Sequence, residues 1–338
     1  MTKPAAPLTS PLKYPGGKRK LFPEVERRFP AGRFKYAEPF WGGGSIGVRL
    51  AGEGRATQIV AGEACPPVRA FWEVVGGRSE YQAEFRLLLE NFAEQFNVSP
   101  AIVFERMRKE MNSYNPAIEN EASVAARLFV LNKTCMNGLV RFNAAGEFNV
   151  PIGRRQDGSF YRFNPNFEHL DRVSAALALT NFEIHPSWQY VLAQPDYVGW
   201  VYYCDPPYTG GFVDYTAEGW SSDDDIVLYE SVRNAAQRGA RVILSQPDTE
   251  WARDCCSSIL KGWQVDPLEV GRSINSDGGG RGPVGELLIW NKPRDFTYAD
   301  LKAAVATMRD APVPMFKLET VHVSPAEFAA RAEEEGPL

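Results

Sequence analysis

At 338 residues, 44% hydrophobic and 23% charged, the chain has enough apolar surface for one large domain or two ordinary ones, which excludes a disordered protein. Three histidines and five cysteines without C-x-x-C spacing argue against zinc, a disulfide framework and histidine-centred catalysis, so reduced thiols and no metal are expected. No run of eighteen apolar residues occurs and Met1–Ser10 lacks the apolar core of a secretion signal, so no membrane partner and a cytoplasmic location are expected.

The net charge of −5 is unevenly spread. Residues 1–35 carry nine Lys and Arg against Glu24 and Glu26, a basic lobe that permits phosphate contact on one face of an acidic protein. Within it, Leu-Lys-Tyr-Pro-Gly-Gly-Lys (Leu12–Lys18) precedes a helix expected from about Arg19 to Arg28. The glycines let backbone approach a ligand closely, the helix start favours anions, and Lys18 stands where it can meet a carboxylate or phosphate.

Arg33–Glu38 reads as a strand, Pro39–Ser45 as a glycine loop, and the residues through Leu50 as a helix. Gly42, Gly44 and Gly47 have G-x-G-x-x-G spacing, a weak signal alone. A second strand, Gln58–Gly62, ends at Glu63, about twenty residues past the loop, where an acidic side chain accepts both hydroxyls of a ribose. NAD and S-adenosylmethionine both carry that adenosine half. Helical spacing then dominates around Glu80–Phe96, Pro100–Met111 and Glu121–Leu131, which predicts an inserted helical region.

Leu139–Asn143 and Glu147–Pro151 flank a turn ending at Gly146 and predict a β-hairpin. Arg141 sits on it and Arg154 and Arg155 follow; a guanidinium on such a hairpin can read guanine in a major groove. A helix over Phe167–Ala178 and strands over Leu179–Ile184 and 199–204 come next. Thr209–Trp220 reads as a loop that could close over a substrate. Ser222 is expected to cap a helix that Gly239 stops, with Asp223, Asp224 and Asp225 in its first turn. Strands at Arg241–Ser245 and Glu286–Trp290 bracket a flexible stretch, Asp277–Gly282, and peripheral helices are expected at Asp300–Met308 and Pro325–Ala332.

The stretch with the most chemistry is Val201–Tyr208. An apolar strand delivers Asp205, Pro206, Pro207 and Tyr208 to its end. Two prolines stiffen the loop and leave bare carbonyls, and Asp205 and Tyr208 flank a slot. Acceptors on the rim and a ring for a wall suit a flat molecule with an exocyclic amino group, such as an extruded nucleobase.

Lys13–Lys18, Glu38–Ser45, Asn137–Gly153, Asp205–Tyr208 and Arg272–Glu286, in that order, resemble the Dam-type adenine-specific DNA methyltransferases over about residues 11–291. The resemblance implies an α/β fold: a Rossmann-like methyltransferase sheet with helices on both faces, plus a mainly helical target-recognition insertion bearing a β-hairpin. It implies a catalytic domain over 1–75 and 176–293, the insertion over 76–175, and a C-terminal extension over 294–338. It also implies S-adenosylmethionine as cofactor, double-stranded DNA as partner and action as a monomer. Tyr14, Lys18, Glu38, Phe40, Gly42, Gly43, Gly44, Ser45 and Glu63 would hold the donor, with Glu63 where the family usually has Asp. Lys13, Asn137, Leu139, Arg141, Asn143 and Pro151 would face DNA, with GATC as the expected site. Asp205, Pro206, Pro207 and Tyr208 would carry catalysis on the adenine 6-amino group. Methylation of the cytosine 4-amino group, and a DNA-binding protein without catalysis, are the alternatives.

Overall fold

The computed structural model describes residues 6–14, 16–77, 79–115, 118–143, 145–193, 198–208, 219–271 and 283–292. Seven strands form one sheet: β1 (Phe34–Glu38), β2 (Ala56–Gly62), β3 (Glu183–His185), β4 (Trp200–Cys204), β5 (Arg241–Pro247), β6 (Gln264–Gly271) and β7 (Pro283–Trp290). Their spatial order is β3-β2-β1-β4-β5-β7-β6. The first five in that order run parallel, and β7 is antiparallel to both neighbours. Strand order reverses between β1 and β4, and the carboxyl ends at such a reversal are where open α/β sheets bind ligands.

Both faces are covered. Ala37, Tyr202, Leu244 and Leu287 pack on one side with α8 (Trp188–Leu192), α9 (Ser222–Gln237) and α10 (Glu250–Ser258). Tyr36, Tyr203, Ile243 and Leu288 point the other way. There the core includes α2 (Gly47–Gly52), α3 (Pro66–Gly76) and α7 (Phe167–Ala178). It continues without a break into α4 (Ser79–Val98), α5 (Pro100–Asn112) and α6 (Glu121–Thr134) through Phe71, Phe85, Phe104 and Phe129. Phe71 stacks on Phe129 at 5.5 Å, so the helical insertion and the sheet share one hydrophobic core.

Several elements differ from expectation. The helix expected over 19–28 is split into a 3-10 turn at Lys18–Lys20 and a short α1 (Phe22–Glu26). Pro23 lacks an N–H and fits only the first turn of a helix, so it starts a new one. Ser221, not Ser222, caps α9: its hydroxyl accepts from the Asp224 amide while Asp224 accepts from the Ser221 amide, a closed capping box. The strand expected from Leu179 begins at Glu183, because Leu179 ends α7 and Asn181 turns the chain at φ 45°. Helices α3, α8 and α10 and strand β6 were not anticipated. The hairpin is paired at Phe142–Phe148, with the Asn143 amide donating to the Glu147 carbonyl at 2.8 Å. The expected helices at 300–308 and 325–332, the flexible stretch 277–282 and residues 209–218 of the closing loop lie outside the described residues. All five cysteines are free and buried. Among the described residues, no helix is long and apolar enough to cross a membrane.

Candidate active site

Side chains in a strand alternate between faces, so residues of one parity share a face. Tyr36 and Glu38 on β1, Tyr203 and then Asp205 at the end of β4, Ser245 on β5 and Glu286 on β7 therefore form a polar row across the carboxyl half of one face. The Tyr203 and Ser245 hydroxyls are 2.9 Å apart, and Tyr36 donates to Glu38 Oε2 at 2.9 Å. The N-terminal segment lies over this row and inserts Lys18.

Lys18 Nζ donates to Tyr208 OH at 2.5 Å and to Glu286 Oε1 at 2.6 Å, and stands 3.2 Å from Asp205 Oδ1. It also lies 5.1 Å from the centroid of the Tyr208 ring. Tyr208 OH is 3.4 Å from both Asp205 Oδ1 and Glu286 Oε1. Burial works against the Lys18 charge, but Asp205, Tyr208 and Glu286 outweigh it and drive its pKa up. Burial pushes Asp205 up from 3.8 to about 6; Lys18 pulls it down and Glu286 pushes it further up. Asp205 keeps 21% of its side-chain surface open, against 10% for Lys18 and 9% for Glu286, so it is the more accessible of the two carboxylates. Pro206 is buried behind it, and Pro207 and Tyr208 are half-buried.

The glycine loop faces this cluster across the strand-order reversal. Gly42 and Gly44 have positive φ, 48° and 62°. A Cβ at Gly42 would sit 2.8 Å from the Tyr14 ring and one at Gly43 2.6 Å from Tyr14 Cβ, so only bare backbone fits beside Tyr14. Trp41 turns inward between Trp72 and Phe182, and Gly44 and Gly47 close over it. Glu38 is buried; its Oε2 accepts from the Gly47 amide at 3.2 Å, which ties β1 to the start of α2. Burial raises its pKa well above the usual carboxylate range, opposed by the Tyr36 hydrogen bond.

Glu63 accepts from the Cys65 amide at 2.8 Å. Its pKa is raised to about 7 by burial, opposed by the amides of Cys65 and Gly42 and by Arg69. Phe40 stacks on Trp188 at 5.7 Å and meets Trp220 edge-on at 5.4 Å, a ring cluster at the same end of the sheet. Ser45 is half-buried at the loop's end.

The residues expected to meet DNA gather at the hairpin. Asn132, fully buried on α6, accepts from the Lys13 amide at 2.9 Å and donates to the carbonyls of Lys13 at 2.6 Å and Gly138 at 2.9 Å. That bond set joins the N-terminal motif to the start of the hairpin. A Cβ at Gly138 would sit 2.3 Å from Lys13 Cδ, so the lysine stem lies directly on that glycine. Val140, Phe142, Phe148 and Val150 are buried and Leu139 is half-buried against the same core, which leaves Arg141 half-exposed and Asn149 and Pro151 exposed. Arg141 Nε donates to Asn149 Oδ1 at 2.8 Å. Asn143 is committed to the turn: its oxygen accepts from the amides of Ala145 and Glu147, and its nitrogen donates to Glu147. Asn137 is exposed at φ 58°.

Three residues of the site have no role assigned from the sequence: Glu286 in the polar row, which there only closes the Arg272–Glu286 motif, Trp188 in the ring cluster, and Asn132 beneath the hairpin. Glu286 only opens the apolar run Leu287–Trp290 and Asn132 only begins the polar stretch after Leu131, so neither position announces its buried partners in the sequence. Among the described residues, no group of three or more His, Cys, Asp or Glu is arranged to hold a metal ion.

A family model described as D12 class N6 adenine-specific DNA methyltransferase matches residues 14–266. A type II methyltransferase, M.MjaIII, of Methanocaldococcus jannaschii is 29% identical over 301 residues, covering 83% of this chain and 98% of that protein. The DNA adenine methylase of Escherichia coli K12 is 29% identical over 289 residues, covering 83% of this chain and 95% of its own. A DNA N-6-adenine-methyltransferase of Escherichia phage P1 is 26% identical over 85% of this chain and 36% of its own length.

Proposed function

The chain belongs to the D12 class of N6 adenine-specific DNA methyltransferases, and from that premise we propose that it transfers a methyl group from S-adenosylmethionine to an adenine extruded from duplex DNA and seated at Asp205–Tyr208. The observation that carries this reading is the placement of Asp205, half-buried and ringed by Lys18, Tyr208 and Glu286, across the β1–β4 reversal from the glycine loop.

The loop suits such a donor. Backbone is bare at Gly42–Gly44 beneath Tyr14, Phe40 offers a ring at the loop's edge, and the Glu63 carboxylate stands at the end of β2 where ribose hydroxyls would meet it. When bound, the donor supplies a methyl carbon made electrophilic by its sulfonium. The rest is positioning. The lone pair of the adenine amino group is delocalised into the ring; acceptance of its hydrogens by Asp205 and the Pro206 carbonyl turns that lone pair out and aims it. Tyr208 forms one wall for the flat base. Holding the reacting atoms in line and stabilising developing charge are the main contributions asked of the protein.

Arg141 and Pro151 lie on the accessible side of a hairpin joined to Lys13 through Asn132, with Leu139 half-buried beside them, which favours readout from the major groove, with GATC as the site. The enzyme would act as a monomer in the cytoplasm. Incubation with duplex DNA and tritiated S-adenosylmethionine, followed by digestion to nucleosides, tests the reading. Label in 6-methyldeoxyadenosine is expected; label only in 4-methyldeoxycytidine, or none, would refute it.

A further inference from the structure

A single ammonium, Lys18, lies between two carboxylates, and its two short contacts go to Glu286 and Tyr208 rather than to Asp205. We propose that Glu286 is a positioning residue for methyl transfer: it draws Lys18 toward itself and Tyr208 and so limits the ammonium's hold on Asp205, whose Oδ1 keeps only the longer contacts of 3.2 Å to Lys18 and 3.4 Å to Tyr208 and whose carboxylate stays available to the adenine amino group. The proposal rests on the reading of Asp205 as the acceptor of that amino group.

An ammonium has three donors and seeks the nearest anion. Without Glu286, Lys18 is left with Asp205 as its one anionic partner among its present contacts, and its Nζ, now 3.2 Å away, would close to the usual charge-assisted distance of about 2.8 Å. A carboxylate gripped in that way has fewer lone pairs and a weaker field to offer the substrate. Glu286 is itself fixed. It is buried on β7, paired in register with Pro247 and Leu268, and its partners come from the N-terminal motif and the Pro-Pro loop, far apart in the chain.

The balance of the reaction gives the second carboxylate a further use. The amino lone pair forms one N–C bond, one S–C bond breaks with its electrons remaining on sulfur, and one proton leaves the nitrogen. Asp205 takes that proton and returns it to water. Two carboxylates around one ammonium leave a net negative charge beside the departing proton, whereas Asp205 paired alone with Lys18 would leave none.

The charged and titratable groups that act on Asp205 are Lys18 from the N-terminal segment, Glu38 from β1, Tyr203 and Cys204 from β4, Tyr208 from its own loop and Glu286 from β7. Of these, Glu286 raises the Asp205 pKa and Lys18 lowers it, so removing the Glu286 charge lowers it on both counts.

The test compares wild type with Glu286→Gln and Glu286→Asp, each first checked for an unchanged circular dichroism spectrum. Carbon NMR titration of the Asp205 carboxyl in the free protein is expected to show a lower midpoint in Glu286→Gln and partial return in Glu286→Asp. With DNA and tritiated donor, Glu286→Gln is expected to lose about 10- to 100-fold in kcat, with donor affinity by calorimetry within about threefold. An unmoved Asp205 midpoint, an unchanged kcat, or a loss of donor affinity as large as the loss in kcat would each overturn the proposal. Failure of the underlying functional reading would show separately, as a wild-type protein that places no methyl on adenine while the Asp205 midpoint still responds to Glu286.

Discussion

Replacing Asp205 with asparagine is expected to stop methyl transfer and, at neutral pH, to make the protein more stable. The fold raises the Asp205 pKa from 3.8 to about 6, a balance that already includes the attraction of Lys18. That rise corresponds to roughly 3 kcal/mol that folding must supply to keep the group ionised at neutral pH. A raised folded pKa means that its contribution to stability is complete below about pH 4 and is lost as pH climbs through about 6. Asparagine is neutral throughout and carries no such penalty, although it leaves Lys18 with Glu286 alone, so a gain of about 1–3 kcal/mol is the expected net. Urea denaturation at about pH 8 and about pH 4 measures it: the variant should be the more stable at the higher pH and the gap should close at the lower. Wild-type transfer should fall with acid around pH 6, as Asp205 takes up its proton. An asparagine variant that is less stable than wild type at about pH 8, or that still methylates DNA, would refute both the strain and the role.

Three other outcomes follow from the contacts. Arg141→Ala should relax sequence choice by about 1–3 kcal/mol at one base pair, read from methylation rates on a set of single-substitution duplexes; an unchanged preference would remove Arg141 from readout. Gly47→Ala sets a methyl 2.3 Å from Trp41 Cζ3 in a packed cluster, so a loss of about 1–3 kcal/mol is expected by thermal melting, and less in a Trp41→Phe background. Asn132→Ala strips three hydrogen bonds from the backbone, two part-buried at Lys13 and one buried at Gly138; a loss of about 1–3 kcal/mol in stability and weaker DNA binding are expected, with donor binding unaffected.

Much of this architecture was legible because the elements obey local rules. Helix α7 runs from Phe167 to Ala178, as its apolar spacing requires, and Asn166 caps it with a hydrogen bond to the His169 amide. Strands β1, β2, β4 and β5 are apolar runs ending at glycine, proline or carboxylate, and each lies within three residues of its expected bounds. The elements that escaped are those with mixed signals. Helix α3 begins with Pro66 and Pro67, a pair that reads as a turn but here occupies the first turn of a helix, where no N–H is needed. Strand β6 contains Pro267, yet among the described residues it pairs with β7 alone and lies at the edge of the sheet, where a missing donor is tolerated.

The site divides along the same line. Lys18, the glycine loop, Asp205–Tyr208 and the hairpin are local patterns, readable because consecutive residues must solve one backbone problem together. Glu286 carries no local signature: it is a lone acid between Gly285 and an apolar run. Its meaning comes from register, because β7 enters antiparallel beside β5 and sets Glu286 opposite Pro247, at the carboxyl edge where Asp205 follows the last residue of β4. A shift of one residue in that pairing would turn Glu286 to the face of Leu287 and Ile289, where α9 and α10 pack, and leave Lys18 with Asp205 alone. The antiparallel strand therefore does more than complete the sheet: its register decides whether Asp205 shares its cation with a second carboxylate.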